Sequence, residues 1–127
     1  MARWAYENKY GSLTIQSGER QDEAFIDYVE GLVRDIKELS DGKLGLTLCV
    51  GEQTEETYRR WFEAGAHRYL LRIETSNPAL YATLHPDDGH HKWQVRKACL
   101  ESLRRIGYQV GTGDMIGLPG QTLGDLA

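Results

Sequence analysis

A short β-rich run followed by an amphipathic helical run recurs along this chain, and that alternation constrains its fold more than any other feature. Ser12–Gln16 reads as a first strand, closed by Ser17-Gly18. A long helix is expected over Glu23–Leu39, because Phe25, Val29, Leu32, Val33, Ile36 and Leu39 fall on one helical face. Leu44–Val50 reads as a second strand. Thr54 is then a good N-cap, with Glu55 and Glu56 in a first turn where the helix dipole favours carboxylates, and Ala64-Gly65 ends that helix. Arg68–Glu74 predicts a third strand. Pro78–Leu84 predicts a short helix opened by proline, and Trp93–Ile106 a longer one stopped by Gly107. Tyr108–Gly111 reads as a fourth strand. Arg3–Lys9 looks like the end of a helix, and Thr122 is expected to open another.

Strands separated by helices of this length imply right-handed crossovers and a parallel sheet. Both a doubly wound sheet and a barrel satisfy that order, and the strand faces choose between them. Leu13 and Ile15 oppose Thr14 and Gln16; Leu46, Leu48 and Val50 oppose Gly45, Thr47 and Cys49; Tyr69 and Leu71 oppose Leu70, Arg72 and Glu74. A parallel strand covered on both sides should be apolar on both. One apolar and one polar face therefore predict helices on one side only and a polar lumen at the carboxyl rim. The expected fold class is α/β, a partial (half) β/α barrel of the TIM type with about four parallel strands, forming one domain over residues 1–127 as an internal piece of a longer barrel.

Composition narrows the function. The chain has 127 residues, 40% hydrophobic and 27% charged, as a globular domain requires. Its net charge of −4 and lack of a Lys/Arg block argue against nucleic acid as a partner. No apolar run approaches a membrane span, and no apolar core follows Met1, so the expected location is the cytoplasm. Cys49 and Cys99 suit a reducing compartment; both read as small core residues rather than metal ligands or nucleophiles.

Several residues could carry chemistry. Arg72 and Glu74, two apart on a strand, should point together into the lumen, either as a mutual ion pair that fills space or toward a ligand. Gln16, Ser17, Gly18 and Glu19 end the first strand. Gly18 permits a tight turn and close approach of a ligand, and Glu19 could accept from an amine, although an ordinary βα turn explains the same residues. His85, Asp87, Asp88, His90 and His91 cluster without a zinc-type spacing and read as a solvated loop. Gly111-Thr112-Gly113-Asp114-Met115-Ile116-Gly117 follows a strand, but its third glycine falls one place late for a dinucleotide fingerprint and Gly117-Leu118-Pro119-Gly120 replaces the helix start.

Together, Gln16-Ser17-Gly18-Glu19, the segment from Glu63 to Pro78, His85-Pro86, Gly107-Tyr108-Gln109-Val110-Gly111 and Gly117-Leu118-Pro119-Gly120-Gln121-Thr122 resemble, in order and over nearly the whole chain, the HydE family. These are the radical S-adenosylmethionine (SAM) maturases of FeFe-hydrogenase, relatives of biotin synthase. The resemblance implies SAM as cofactor, with Ser17, Gly18 and Glu19 at the turn for the methionyl amine. It implies Glu74 at the ribose or methionyl part, Arg96 near the methionyl carboxylate and Gly117 on the adenine side. Gln16, Thr47 and Arg72 would line the lumen around a small carboxylate substrate. Ile73 departs from a histidine common in the family, on the face away from Arg72. The resemblance also implies a [4Fe–4S] cluster in the parent enzyme and a 5′-deoxyadenosyl radical for H-cluster assembly. This chain lacks the Cys-x3-Cys-x2-Cys loop that holds such a cluster, so by itself it is expected to cleave no SAM; the other readings are a non-catalytic half-barrel and a nucleotide-binding module. Two open parallel edges further predict a homodimer that closes a barrel by twofold symmetry.

Overall fold

The four predicted strands form one parallel sheet in the order β1-β2-β3-β4, each strand beside its neighbour in sequence. The structure is a computed structural model, and it describes residues 1–86 and 91–126. The elements run α1 (Ala2–Glu7), β1 (Ser12–Gln16), α2 (Glu23–Leu39), β2 (Gly45–Cys49), α3 (Glu55–Ala64), β3 (Arg68–Leu70), α4 (Pro78–Leu84), α5 (Trp93–Ile106) and β4 (Gln109–Gly111), and a 3-10 turn covers Leu123–Leu126. Local chemistry sets the helix limits. The Asp22 carboxylate accepts from the Phe25 N–H, and the Thr54 hydroxyl from the Thr57 N–H, which starts α2 and α3. Gly65 and Gly107 stop α3 and α5 in the left-handed conformation that glycine adopts most readily.

Helices cover one face of the sheet. Leu46, Leu48, Val50, Tyr69 and Leu71 point into a single core with Val29 and Val33 of α2, Tyr58 and Trp61 of α3, and Cys99 and Leu103 of α5. Trp61 is fully buried and donates its indole N–H to the Ile26 carbonyl at 3.1 Å. The opposite face presents Thr14, Thr47, Arg68 and Gln109 in one row, and Gln16, Cys49, Leu70 and Gly111 in the next. That one-sided arrangement makes the chain a partial β/α barrel with an open sheet, as the strand faces predict.

Three expectations need correction. The third strand is shorter than predicted. The Ile73 N–H goes to the Thr112 hydroxyl at 3.1 Å instead of a backbone carbonyl, which interrupts the ladder, and only Glu74 pairs again, with Asp114. Glu74 takes φ +72°, held by its N–H to Gly113 O and by its own carbonyl to Met115 N. The last turn is 3-10 and begins at Leu123, because Asp125 takes both the backbone N–H and the hydroxyl of Thr122. Cys49 is not a core residue: it lies on the lumen side of β2 and is half-buried.

Candidate functional site

At the carboxyl ends of β1, β2 and β3 the chain forms a cleft of about 100 Å³ lined by Gln16, Ser17, Glu19, Cys49, Gly51, Leu70, Leu71, Arg72, Glu74 and Arg96. Its fixed point is Arg96, on the second turn of α5. The side chain is buried, and its guanidinium makes three bonds: Nε to Glu52 Oε1 at 2.8 Å, Nη2 to Glu19 Oε1 at 2.9 Å and Nη1 to the Arg72 carbonyl at 3.1 Å. One cation thus joins the ends of three strands. Helix α5 is aimed at the rim by Trp93, whose indole N–H donates to the Thr75 carbonyl at 2.9 Å.

The loops that carry the two glutamates are fastened to each other. Gln21 donates to the Glu52 carbonyl and Gln53 to the Arg20 carbonyl, at 2.9 and 2.6 Å. Gly51 lies beneath Glu19 with φ +81°, and a Cβ there would collide with the Glu19 side chain. From behind the sheet, the Tyr69 hydroxyl donates to the Gly51 carbonyl at 2.8 Å and fixes this backbone in place.

Burial pushes the Glu52 carboxyl above the usual carboxylate range, with Arg96 pulling it back and Glu19 adding to the rise. Burial also works against the charge on Arg96, but Glu19, Tyr81 and Glu52 outweigh it and hold the guanidinium above its ordinary value. The result is a buried cation facing two carboxylates, which is suited to a ligand that itself carries a carboxylate and an ammonium.

Of the residues singled out from sequence, Gln16, Ser17, Glu19, Arg72, Glu74 and Arg96 meet at this cleft. Arg72 Nε and Glu74 Oε1 are 3.7 Å apart, with Arg72 mostly exposed and Glu74 largely covered. Thr47 sits one row deeper, paired with Thr14 and Arg68, so Cys49 takes the position beside Gln16. Within the chain itself a Cβ on Gly18 would meet nothing within 4 Å, whereas one on Gly51 would meet the Glu19 side chain. Gly117 lies in the last loop with its N–H bonded to Gln121 Oε1 at 2.8 Å. No helix follows the Gly111–Gly117 stretch among the described residues before the 3-10 turn at Leu123, which removes the geometry a dinucleotide loop needs.

His85 stacks on Tyr81 with ring centroids 3.9 Å apart, and His91 lies 6.1 Å from His85. Asp87, Asp88 and His90 fall outside the described residues, and among those described no cluster of three or more His, Cys, Asp or Glu could hold a metal ion. Cys99 is buried, with its thiol pushed up by burial and directed at the Gln53 carbonyl. Gly51, Glu52 and Tyr81 were missed from sequence. A signal for the first two was present: Gly-Glu ends β2 as it ends β1, at Gly51-Glu52 and Gly18-Glu19.

The model of the Radical SAM superfamily matches residues 1–127. The chain belongs to the radical SAM superfamily. It is 42% identical over 126 residues to the [FeFe] hydrogenase maturase subunit HydE of Thermotoga maritima, covering 98% of this chain and 34% of that protein. It is 30% identical over 120 residues to biotin synthase of Bacillus cytotoxicus, covering 92% of this chain and again 34% of the relative. The solved structure of the FeFe-hydrogenase maturase HydG from Carboxydothermus hydrogenoformans superposes with a TM-score of 0.83 at 22% identity, over 98% of this chain and 29% of that one. The radical SAM chain described here therefore spans about a third of the length of the curated relatives it matches, and the structural likeness bears on its fold.

Proposed function

We propose that the rim cleft is the SAM-binding part of a radical SAM enzyme of the HydE kind. The observation that carries this is the buried Arg96 shared by Glu19 and Glu52 at the strand ends. The methionyl group of SAM is a zwitterion: Arg96 would take its carboxylate and Glu19, on the Ser17-Gly18-Glu19 turn, its ammonium. Glu74 would contact the ribose or methionyl part, and Gly117 the adenine side. Gln16, Thr47 and Arg72 would face a small carboxylate substrate, with Thr47 at the floor of the lumen. When bound in the whole enzyme, SAM supplies the 5′-deoxyadenosyl radical used in H-cluster assembly.

The residues of this chain do not fit a [4Fe–4S] cluster: its only cysteines are Cys49 on the lumen face and Cys99 in the helix-side core. Their work is to bind, to orient and to exclude water, and by itself the chain should release no 5′-deoxyadenosine from SAM under reductant. The reading places the protein in the cytoplasm. No helix among the described residues is long and apolar enough to cross a membrane.

Calorimetric titration with SAM tests the assignment. Saturable binding that Glu19→Gln weakens about tenfold supports it, one charge-assisted hydrogen bond being worth about that much. Absence of saturable binding at millimolar SAM overturns it and leaves a half-barrel without ligand affinity. Among the described residues β1 and β4 each pair on one side only, and we propose that two copies close edge to edge. A stable monomer at micromolar concentration in sedimentation would exclude that.

A further inference from the structure

The last two strands slip by one residue where they reach the cleft. Leu70 stands opposite Gly111 but Glu74 stands opposite Asp114, so four steps on the β3 side match three on the β4 side. The hydrogen bonds show where the extra residue enters. The Leu71 N–H donates to the Gly111 carbonyl at 3.0 Å, and an even parallel ladder would next send the Ile73 N–H to the Gly113 carbonyl. Instead the Thr112 hydroxyl accepts from the Ile73 N–H at 3.1 Å, and the Gly113 carbonyl takes the Glu74 N–H at 3.1 Å. The result is a bulge, which bends a strand and turns its next side chain in a new direction.

The peptide unit between Arg72 and Ile73 is held at both ends. Its carbonyl accepts from Arg96 Nη1 at 3.1 Å and its N–H donates to Thr112. Because the unit is planar, these two bonds fix its orientation. Glu74 follows it with φ +72°, a conformation that glycine adopts freely and that strains a residue carrying a side chain. A turn serving only the backbone would be met better by glycine. The position holds a glutamate instead, with its side chain 13% exposed, its Oε1 3.7 Å from Arg72 Nε and the residue lining the cleft. The bulge is the device that delivers that carboxylate.

We infer that Thr112 is a positioning residue for Glu74. Its hydroxyl takes the Ile73 N–H out of the ladder, passes the Gly113 carbonyl to Glu74 and so sets where the Glu74 carboxylate meets the ribose or methionyl part of the ligand. This rests on the cleft being the SAM site. Arg96 and Thr112 grip one peptide unit from opposite ends, so the distance from the buried cation to the Glu74 carboxylate is set by the pair of them.

The test is a double-mutant cycle on the full chain, with SAM affinity read by calorimetric titration. Thr112→Val keeps the shape and removes the hydroxyl, so the Ile73 N–H can return to the Gly113 carbonyl and carry Glu74 with it. It should weaken SAM about tenfold, whereas Thr112→Ser, which keeps the hydroxyl, should stay within about twofold of wild type. In a Glu74→Ala background Thr112→Val should weaken SAM by less than about twofold, because its effect passes through the Glu74 side chain. Thr112 is exposed, so the fold should accept valine; Thr112→Ala supplies the same comparison if valine does not fold. Equal SAM affinity in wild type and Thr112→Val overturns the role of Thr112 while the SAM site stands. An undiminished loss in the Glu74→Ala background, or a loss in Thr112→Ser as large as in Thr112→Val, overturns it too. Failure of wild type to bind SAM removes both.

Discussion

The two faces of the sheet are built to different rules. On the helix side, Leu46, Leu48, Val50, Tyr69 and Leu71 are at most 2% exposed and belong to one apolar core. The lumen side carries Gln16 of β1, Thr47 of β2 and, just past β3, Arg72, and at the carboxyl ends of the strands a buried cation holds two carboxylates. The first face draws its stability from area removed from water, which tolerates no charge. The second spends stability on charges held in fixed positions, one of which, Glu52, burial pushes toward protonation. The apolar core and the fixed charges thus lie on opposite sides of one sheet only a strand thick.

Substitutions on each side should separate these roles. Trp61→Ala removes the largest fully buried side chain and its indole bond to the Ile26 carbonyl; a loss of about 4 kcal/mol is expected, read as the urea midpoint by circular dichroism. If the chain tolerates this change, the helix side is not what holds the fold.

On the rim, Arg96→Met leaves Glu52 buried without its cation and should cost about 3 kcal/mol at neutral pH. The sign with pH follows from the raised Glu52 value. A carboxyl whose folded pKa is raised contributes its stability below its unfolded pKa and loses it as pH rises through the folded one. Without Arg96 that rise is larger, so the deficit of Arg96→Met against wild type should shrink as pH falls toward about 4 and grow toward neutrality. Adding Glu52→Gln should recover most of the loss at pH 7. A deficit independent of pH would show that Glu52 is not the cause.

Gly51→Ala is expected to cost about 2 kcal/mol, from its positive φ and from the collision with Glu19, and to displace Glu19 from Arg96. The nitrogen-15 shift of Arg96 Nε would report that displacement. Thr54→Ala, away from both faces, should lose only the α3 cap, about 1 kcal/mol by thermal unfolding. A larger effect there would mean that α3 is propped by its cap rather than by the core.

Much of the fold was legible because its signals are local. The caps at Thr54 and Gly65, the proline at the start of α4 and Gly107 after α5 mark their boundaries within a few residues of sequence, and the bounds expected for α2, α4 and α5 coincide with those observed. The alternation of Leu46, Leu48 and Val50 against Gly45, Thr47 and Cys49 likewise announces which face the helices cover. The early end of β3 was not legible, because a hydroxyl 39 positions away, on Thr112, takes the hydrogen bond that a strand would have used.

The candidate site divides the same way. The sequence by itself determined the one-sided parallel sheet, the polar rim and the shared lumen side of Gln16, Thr47, Arg72 and Glu74, since strand period and strand order fix where those residues emerge; that Ser17, Glu19 and Arg96 join them was implied by the family resemblance. Only the tertiary structure decided that Glu19 and Glu52 share Arg96, that Thr47 lies a row below and that Gly51 must lack a side chain. The Arg96 pairs join residues 44 and 77 positions apart at distances of a few ångströms, and an ion pair across such a span has no local pattern to reveal it.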